Sequence, residues 1–307
     1  MWTVRLGHRG FHLALLASAL LLGGCDKPAE TADETDKAAS RENVEAMARE
    51  HAEDTTEPSP AAQEAPARPV ISDARLPYAE VGNELVYGYF SAPADVFEPL
   101  PALIVIHEWW GLNDNVRAMA DRLAAEGYMV LAVDLYAGST ADTPEAARQL
   151  MLGVAENPDA ARENLRMAHD FLSTAGAPRI GSLGWCFGGS WSLNTALLLG
   201  EDLDATVIYY GQVTDDEEEL AAVQAPILGL FAADDRGIKV DSVNAFSDAL
   251  NRLRKPNEIH IYPDVGHAFA NPTGRNYHAE TAQDAWAKTL EFLGRYMSSA
   301  EESSDSS

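Results

Sequence analysis

The stretch Gly184-Trp185-Cys186-Phe187-Gly188-Gly189 constrains this chain more than any other. It follows a short apolar run and precedes a helix-forming segment, so it reads as strand, tight turn, helix. The spacing G-x-C-x-G is the cysteine form of the nucleophile elbow. A nucleophile at such a turn is held in a strained backbone conformation, and its neighbours two residues away must be small. Gly184 and Gly188 meet that demand, and Gly189 allows the helix to pack close to the sheet. The helix N-terminus then lies under Cys186, where it lowers the thiol pKa and offers free N–H groups to an oxyanion. A buried core cysteine ahead of a glycine-rich helix cap would give the same six residues. The remainder of the chain has to decide.

That remainder alternates. Residues 84–91 alternate apolar and polar like an early antiparallel strand. Residues 101–107 and 128–134 are continuous apolar runs, as expected of strands covered on both faces. Further strands are predicted at 205–210, 227–232 and 258–262. Helices are predicted at 115–126, 143–153, 158–175, 240–254 and 279–297. Strands alternating with helices imply one α/β domain over 73–297, with a mostly parallel, doubly wound sheet and no large cap. Ligands of such sheets bind beyond the C-terminal ends of the strands.

Two loops at predicted strand ends carry the partners that a thiol nucleophile requires. The 227–232 strand runs into Asp234-Asp235, and the 258–262 strand into Gly266-His267. Nucleophile, acid and histidine in that chain order is the order of α/β hydrolases. Asp235 is preferred to Asp234 because the acid sits in the turn beyond the strand. His51, His169, His260 and His278 lack such a placement and read as solvated or structural. The loop after the 101–107 strand, His107-Glu108-Trp109-Trp110-Gly111-Leu112-Asn113, offers the Trp109 amide as one oxyanion donor, the Phe187 amide being the other. Glu108 is an acid at the lip of the site. No Cys/His cluster has zinc spacing and no phosphate-binding glycine loop is present, so neither metal nor organic cofactor is expected.

With these motifs the chain resembles the dienelactone hydrolase (carboxymethylenebutenolidase-like) family of α/β hydrolases over about 78–297. The resemblance rests on His107–Asn113, Val133-Asp134-Leu135-Tyr136, the elbow, Tyr209-Tyr210-Gly211 and Gly266-His267-Ala268-Phe269. It implies a Cys186–Asp235–His267 triad, with Glu108 holding the resting cysteine or its proton. It also implies hydrolysis of an ester or lactone through a thioester. The family's founding enzymes hold a substrate carboxylate with two arginines. Here Asn271 stands at one of those positions, Arg148 lies in the region of the other, and Arg275 is a candidate replacement. With Trp110, these complete the expected substrate-binding set. A general carboxylesterase or thioesterase, or a tethered binding protein, are the competing readings.

Before the domain, residues 1–24 form a basic then apolar leader too short to span a bilayer as a final helix. It ends in Leu22-Gly23-Gly24-Cys25, which resembles a bacterial lipobox. Cys25 is therefore the expected lipidation site, anchoring the protein at the periplasmic face of the inner membrane. Residues 25–72 read as a disordered acidic tether in which 41–51 could form a transient helix, and 298–307 as an acidic tail. The chain has two cysteines, so lipidation of Cys25 leaves Cys186 unpaired. The formal net charge of −26 argues against nucleic acid as a partner. The expected partners are a small-molecule ester or lactone and the membrane, with the protein itself a monomer.

Overall fold

The computed structural model describes residues 41, 44–45, 47–49, 51, 66–96 and 98–298. The leader and Cys25 lie outside the described residues. The strands are β1 (Val70–Val81), β2 (Glu84–Pro93), β3 (Ala102–Ile106), β4 (Met129–Val133), β5 (Ile180–Trp185), β6 (Ala205–Tyr209), β7 (Ile227–Ala232) and β8 (Asn257–Tyr262). They form one eight-stranded sheet of order β1-β2-β4-β3-β5-β6-β7-β8. β1 and β2 are antiparallel, and β2 meets β4 antiparallel; every later pairing is parallel. The mostly parallel α/β sheet expected from the sequence is present.

Local chemistry explains the elements. β1 and β2 are joined at Gly82-Asn83, both at positive φ (60° and 69°), the conformation a tight hairpin turn needs. The central strands β3, β5 and β7 are buried along their whole length, which is why their sequences are continuous apolar runs rather than alternating ones. The helices are α1 (Asp114–Ala125), α2 (Pro144–Glu156), α3 (Pro158–Thr174), α4 (Phe187–Leu199), α5 (Glu217–Leu220), α6 (Val240–Arg252) and α7 (Ala279–Met297). α1 starts where the Asn113 side chain accepts from the Val116 amide, and α2 where Thr143 accepts from Ala146. α4 is buried on nearly all sides, so it has no amphipathic stripe and runs through the core beneath the elbow.

One segment departs from the tether expected over 25–72. Arg41, Val44, Glu45, Met47, Ala48 and Arg49 are helical, and His51 follows in a turn closed by its amide on the Met47 carbonyl (3.1 Å). Val44, Met47 and His51 are buried. They recur at the spacing of one helix face, and that face lies on the α/β domain. On the outer side Arg41 pairs with Glu156 (3.1 Å), and Glu45 pairs with Arg148 of α2.

Candidate active site

Cys186 sits between β5 and α4 at φ 59° and ψ −118°, a conformation costly for any residue with a Cβ. The glycines around it are sterically required. A Cβ on Gly184 would lie 2.1 Å from the Gly188 carbonyl oxygen, and one on Gly189 would lie 2.5 Å from that of Tyr209. Backbone packs directly on backbone here, and this fixes the turn. The Cys186 amide donates to the Tyr209 carbonyl (2.9 Å), pinning the turn to β6.

Asp235 lies just past β7. Its Oδ1 accepts from the amides of Gly237 and Ile238, both at 2.8 Å, and its Oδ2 meets His267 Nδ1 at 2.6 Å. Asp234 is exposed, whereas Asp235 is buried against His267. The β7 and β8 loops are tied by the Ala233 and Asp234 amides, which donate to Tyr262 and Val265 carbonyls. That tie brings acid and histidine together across 32 residues. Both side chains are 1% exposed. The second ring nitrogen of His267, Nε2, is buried, and its one neighbour able to share a proton among the described residues is the Cys186 sulfur. The Cys186 Sγ and a ring nitrogen from each of His267 and His51 lie within 4.8 Å of one another.

The electrostatics follow from this clustering. Burial raises the Cys186 thiol pKa, and the imidazoles of His51 and His267 more than offset it, bringing the thiol down to about 6. Burial opposes charge on His267, but Asp235 and the Cys186 sulfur hold its pKa well above the ordinary value. Asp235 is likewise pushed up by burial and brought below the usual carboxylate range by His267 and two amides. A thiolate–imidazolium pair is thus favoured at neutral pH. The ionised thiol exists above its pKa, so alkylation of Cys186 by iodoacetamide, in chelator-treated protein, should rise with pH through about 6 and then level. A rise centred near the unperturbed thiol value of roughly 8.5 would show that the imidazoles do not share its proton.

The loop after β3 is held by the neighbouring His107. Its Nδ1 faces the Glu108 carbonyl (2.6 Å) while its Nε2 accepts from the Leu135 amide (3.1 Å), which fixes a neutral ring, and burial lowers its pKa accordingly. Asp134 shapes the facing turn by accepting from the Tyr136 amide (2.8 Å). The Val133–Tyr136 motif is therefore a brace for the Glu108–Trp110 loop. Glu108 is buried and accepts from Asn271 Nδ2 at 2.5 Å. Asn271 Oδ1 in turn accepts from the amide (2.8 Å) and hydroxyl (2.7 Å) of Thr273. Asn271 is thus engaged with its own chain. Trp109 and Trp110 are buried, with ring centroids 4.7 Å apart.

The placements of Arg148 and His51 differ from the sequence expectations. Arg148 is held by Glu45 through two hydrogen bonds, so its guanidinium is committed to the N-terminal segment, and a candidate substrate ligand becomes a clasp. Arg275 is exposed on the loop beyond Asn271. His51, set aside from the sequence as solvated or structural, is 3% exposed with Nε2 3.4 Å from Cys186 Sγ. Its ring stands 4.7 Å from Trp109 and 4.9 Å from His267. Met47 Sδ lies 3.2 Å from the same sulfur. Tyr210, in the Tyr209-Tyr210-Gly211 motif, also borders the site. It holds φ 36° and its ring lies 5.1 Å from His267.

A sequence profile described as "Dienelactone hydrolase family" matches residues 86–297. The chain belongs to the dienelactone hydrolase family. A relative from Saccharolobus solfataricus, named "Putative carboxymethylenebutenolidase", is 32% identical over 64% of this chain and 90% of its own length. One of the same name from Escherichia coli K12 is 33% identical over 68% of this chain and 82% of its own. The crystal structure of a "Putative Dienelactone Hydrolase" from Klebsiella pneumoniae superposes with a TM-score of 0.67 at 26% identity, covering 75% of this chain and all of that one. Members of the dienelactone hydrolase family are hydrolases of ester and lactone bonds, and this chain is a hydrolase of that type on the α/β-hydrolase fold. The profile begins within β2, so β1 and the N-terminal segment that reaches Cys186 lie outside the matched region.

Proposed function

We propose that this hydrolase cleaves a carboxylic ester or lactone with Cys186 as nucleophile, His267 as acid and base, and Asp235 as the group that orients His267. The observation that carries the proposal is the 2.6 Å Asp235–His267 bond, buried beside a sulfur on a strained elbow. The Cys186 thiolate adds to the substrate carbonyl carbon. The resulting oxyanion faces the backbone amides of Phe187, the first residue of α4, and of Trp109. His267 gives its Nε2 proton to the leaving oxygen, and a thioester on Cys186 remains. His267, now neutral, takes a proton from water, hydroxide attacks the thioester, and the thiolate returns. Asp235 keeps Nδ1 protonated, so Nε2 is the nitrogen that exchanges the proton. Glu108, fixed by Asn271, acts as a positioning residue on the loop that carries the Trp109 amide.

The side chains favour a neutral substrate. Asn271 is an uncharged amide bonded to Glu108, and the Arg148 guanidinium is bonded to Glu45, so neither position offers a cation to a substrate carboxylate. A cleft of about 860 Å³ beside α4 has a mixed lining, apolar at Val44, Met47, Phe187 and Trp191 and polar at Arg162, Asn194, Gln212 and Glu218. The uncharged Asn271 and the committed Arg148 favour a general carboxylesterase within the family over a strict dienelactone hydrolase. Cys186 is fully buried as the protein stands, so turnover requires Met47 and His51 to draw back.

Rapid quench with p-nitrophenyl butyrate, followed by mass spectrometry, should trap a butyryl group on Cys186. Hydrolysis of that neutral ester should exceed that of an anionic dienelactone. Acyl label on another residue would overturn the nucleophile, and preference for the dienelactone would overturn the substrate class.

A further inference from the structure

Cys186 and His267, together with His51, which the hydrolytic mechanism does not use, also form a set of metal donors. Cys186 Sγ and one ring nitrogen from each of His51 and His267 lie within 4.8 Å of one another, and all three side chains are buried. The His51 Nε2 to Sγ separation is 3.4 Å. Donors bound to one tetrahedral ion at 2.0 to 2.3 Å stand roughly 3.3 to 3.8 Å apart, so modest closure suffices. Among the described residues His267 Nε2 is buried with no partner other than the Cys186 sulfur, while its Nδ1 is fixed by Asp235 at 2.6 Å. A carboxylate behind the distal nitrogen is the usual support of a metal-bound histidine, setting ring orientation and raising its basicity. Met47 Sδ, 3.2 Å from Cys186 Sγ, adds a soft thioether at the same spot.

We infer that Cys186, His267 and His51 form a binding site for a thiophilic metal ion, Zn(II) or Cu(I), completed by the N-terminal segment. One thiolate and two imidazoles are a borderline-soft set that hard cations such as Mg(II) or Ca(II) do not favour. Binding releases the proton shared by the thiol and imidazole, because the ion takes up the thiolate and a neutral ring nitrogen. The bound sulfur can no longer add to a carbonyl, so metal and ester compete. The third ligand belongs to the segment that must withdraw for substrate, so the ion also holds that segment closed. No zinc spacing is visible in the sequence because the ligands come from positions 51, 186 and 267.

The test is titration of the reduced, chelator-treated full chain with Co(II), followed by displacement with Zn(II). One equivalent should give a thiolate-to-cobalt band in the near ultraviolet and tetrahedral absorption in the visible. Cys186→Ala should lose the thiolate band. His51→Gln should bind Zn(II) at least about tenfold more weakly, the lower bound expected even for loss of a ligand's support. His51→Cys, kept reduced, should restore tight binding, and circular dichroism should show both variants folded. Absence of the thiolate band would overturn the site, as would equal Zn(II) affinity in wild type and His51→Gln, or several weak equivalents indifferent to position 51. The cobalt spectrum does not depend on turnover, so this outcome is separable from failure of the hydrolase assignment. The competition with ester alone rests on that assignment.

Discussion

Cys186→Ala is expected to lower kcat for p-nitrophenyl butyrate at least about 10³-fold, with the folded state intact. Removing a nucleophile from a triad that acts as a unit is among the largest single losses known in enzymes, on the order of 10⁶ where measured carefully. Alanine keeps the Cβ, so the strained backbone at φ 59° is neither relieved nor worsened, and the fall in rate reports chemistry. Asp235→Asn should follow with a loss of roughly 10⁴, because an amide at that position permits the wrong tautomer of His267. The two effects should not add: once Cys186 is gone, correct orientation of His267 has little left to serve. A Cys186→Ala enzyme retaining activity within tenfold of wild type would place the nucleophile elsewhere. Loss in Cys186→Ala with little change in Asp235→Asn would mean that the buried 2.6 Å bond is structural only.

The features legible in the sequence are those with local causes. The elbow shows itself because its glycines are demanded by backbone contacts a few residues away or on the adjoining strand. Asp235 and His267 show themselves because each lies in the loop after a recognisable strand, β7 and β8. Strand β1 is not legible as an element because most of it is exposed and its sequence lacks a clear apolar alternation. The N-terminal segment was harder. Val44, Met47, Ala48 and His51 do fall on one helix face, but they are too few to stabilise a helix alone, and the acidic composition around them reads as solvated chain. Only the preformed cleft beside α4 gives them something to bury against. The roles of Arg148 and Asn271 rest on partners 103 and 163 residues distant, Glu45 and Glu108, which no local pattern encodes.

Gly188→Ala is expected to cost more than about 4 kcal/mol of stability or to prevent folding altogether, a loss seen only when backbone or core geometry is broken. An added Cβ would lie 2.2 Å from the Ile106 carbonyl oxygen and 2.5 Å from that of His107. Both are backbone atoms at the end of the central strand β3, so no side chain can rotate away. Relief would require α4 to move off the sheet, carrying the Cys186 turn with it and opening the loop that bears Glu108 and Trp109. Gly153→Ala and Gly294→Ala are the internal controls. Both glycines lie within helices, α2 and α7, and a Cβ at either meets nothing within 4 Å. Those substitutions should raise stability by about 0.4–1 kcal/mol, since alanine restricts the unfolded chain and favours the helix. Urea unfolding monitored by tryptophan fluorescence separates the cases. A Gly188→Ala protein within about 1 kcal/mol of wild type would mean that the elbow is not pressed against β3, and the account of the Cys186 turn as fixed by backbone-on-backbone packing would have to be abandoned.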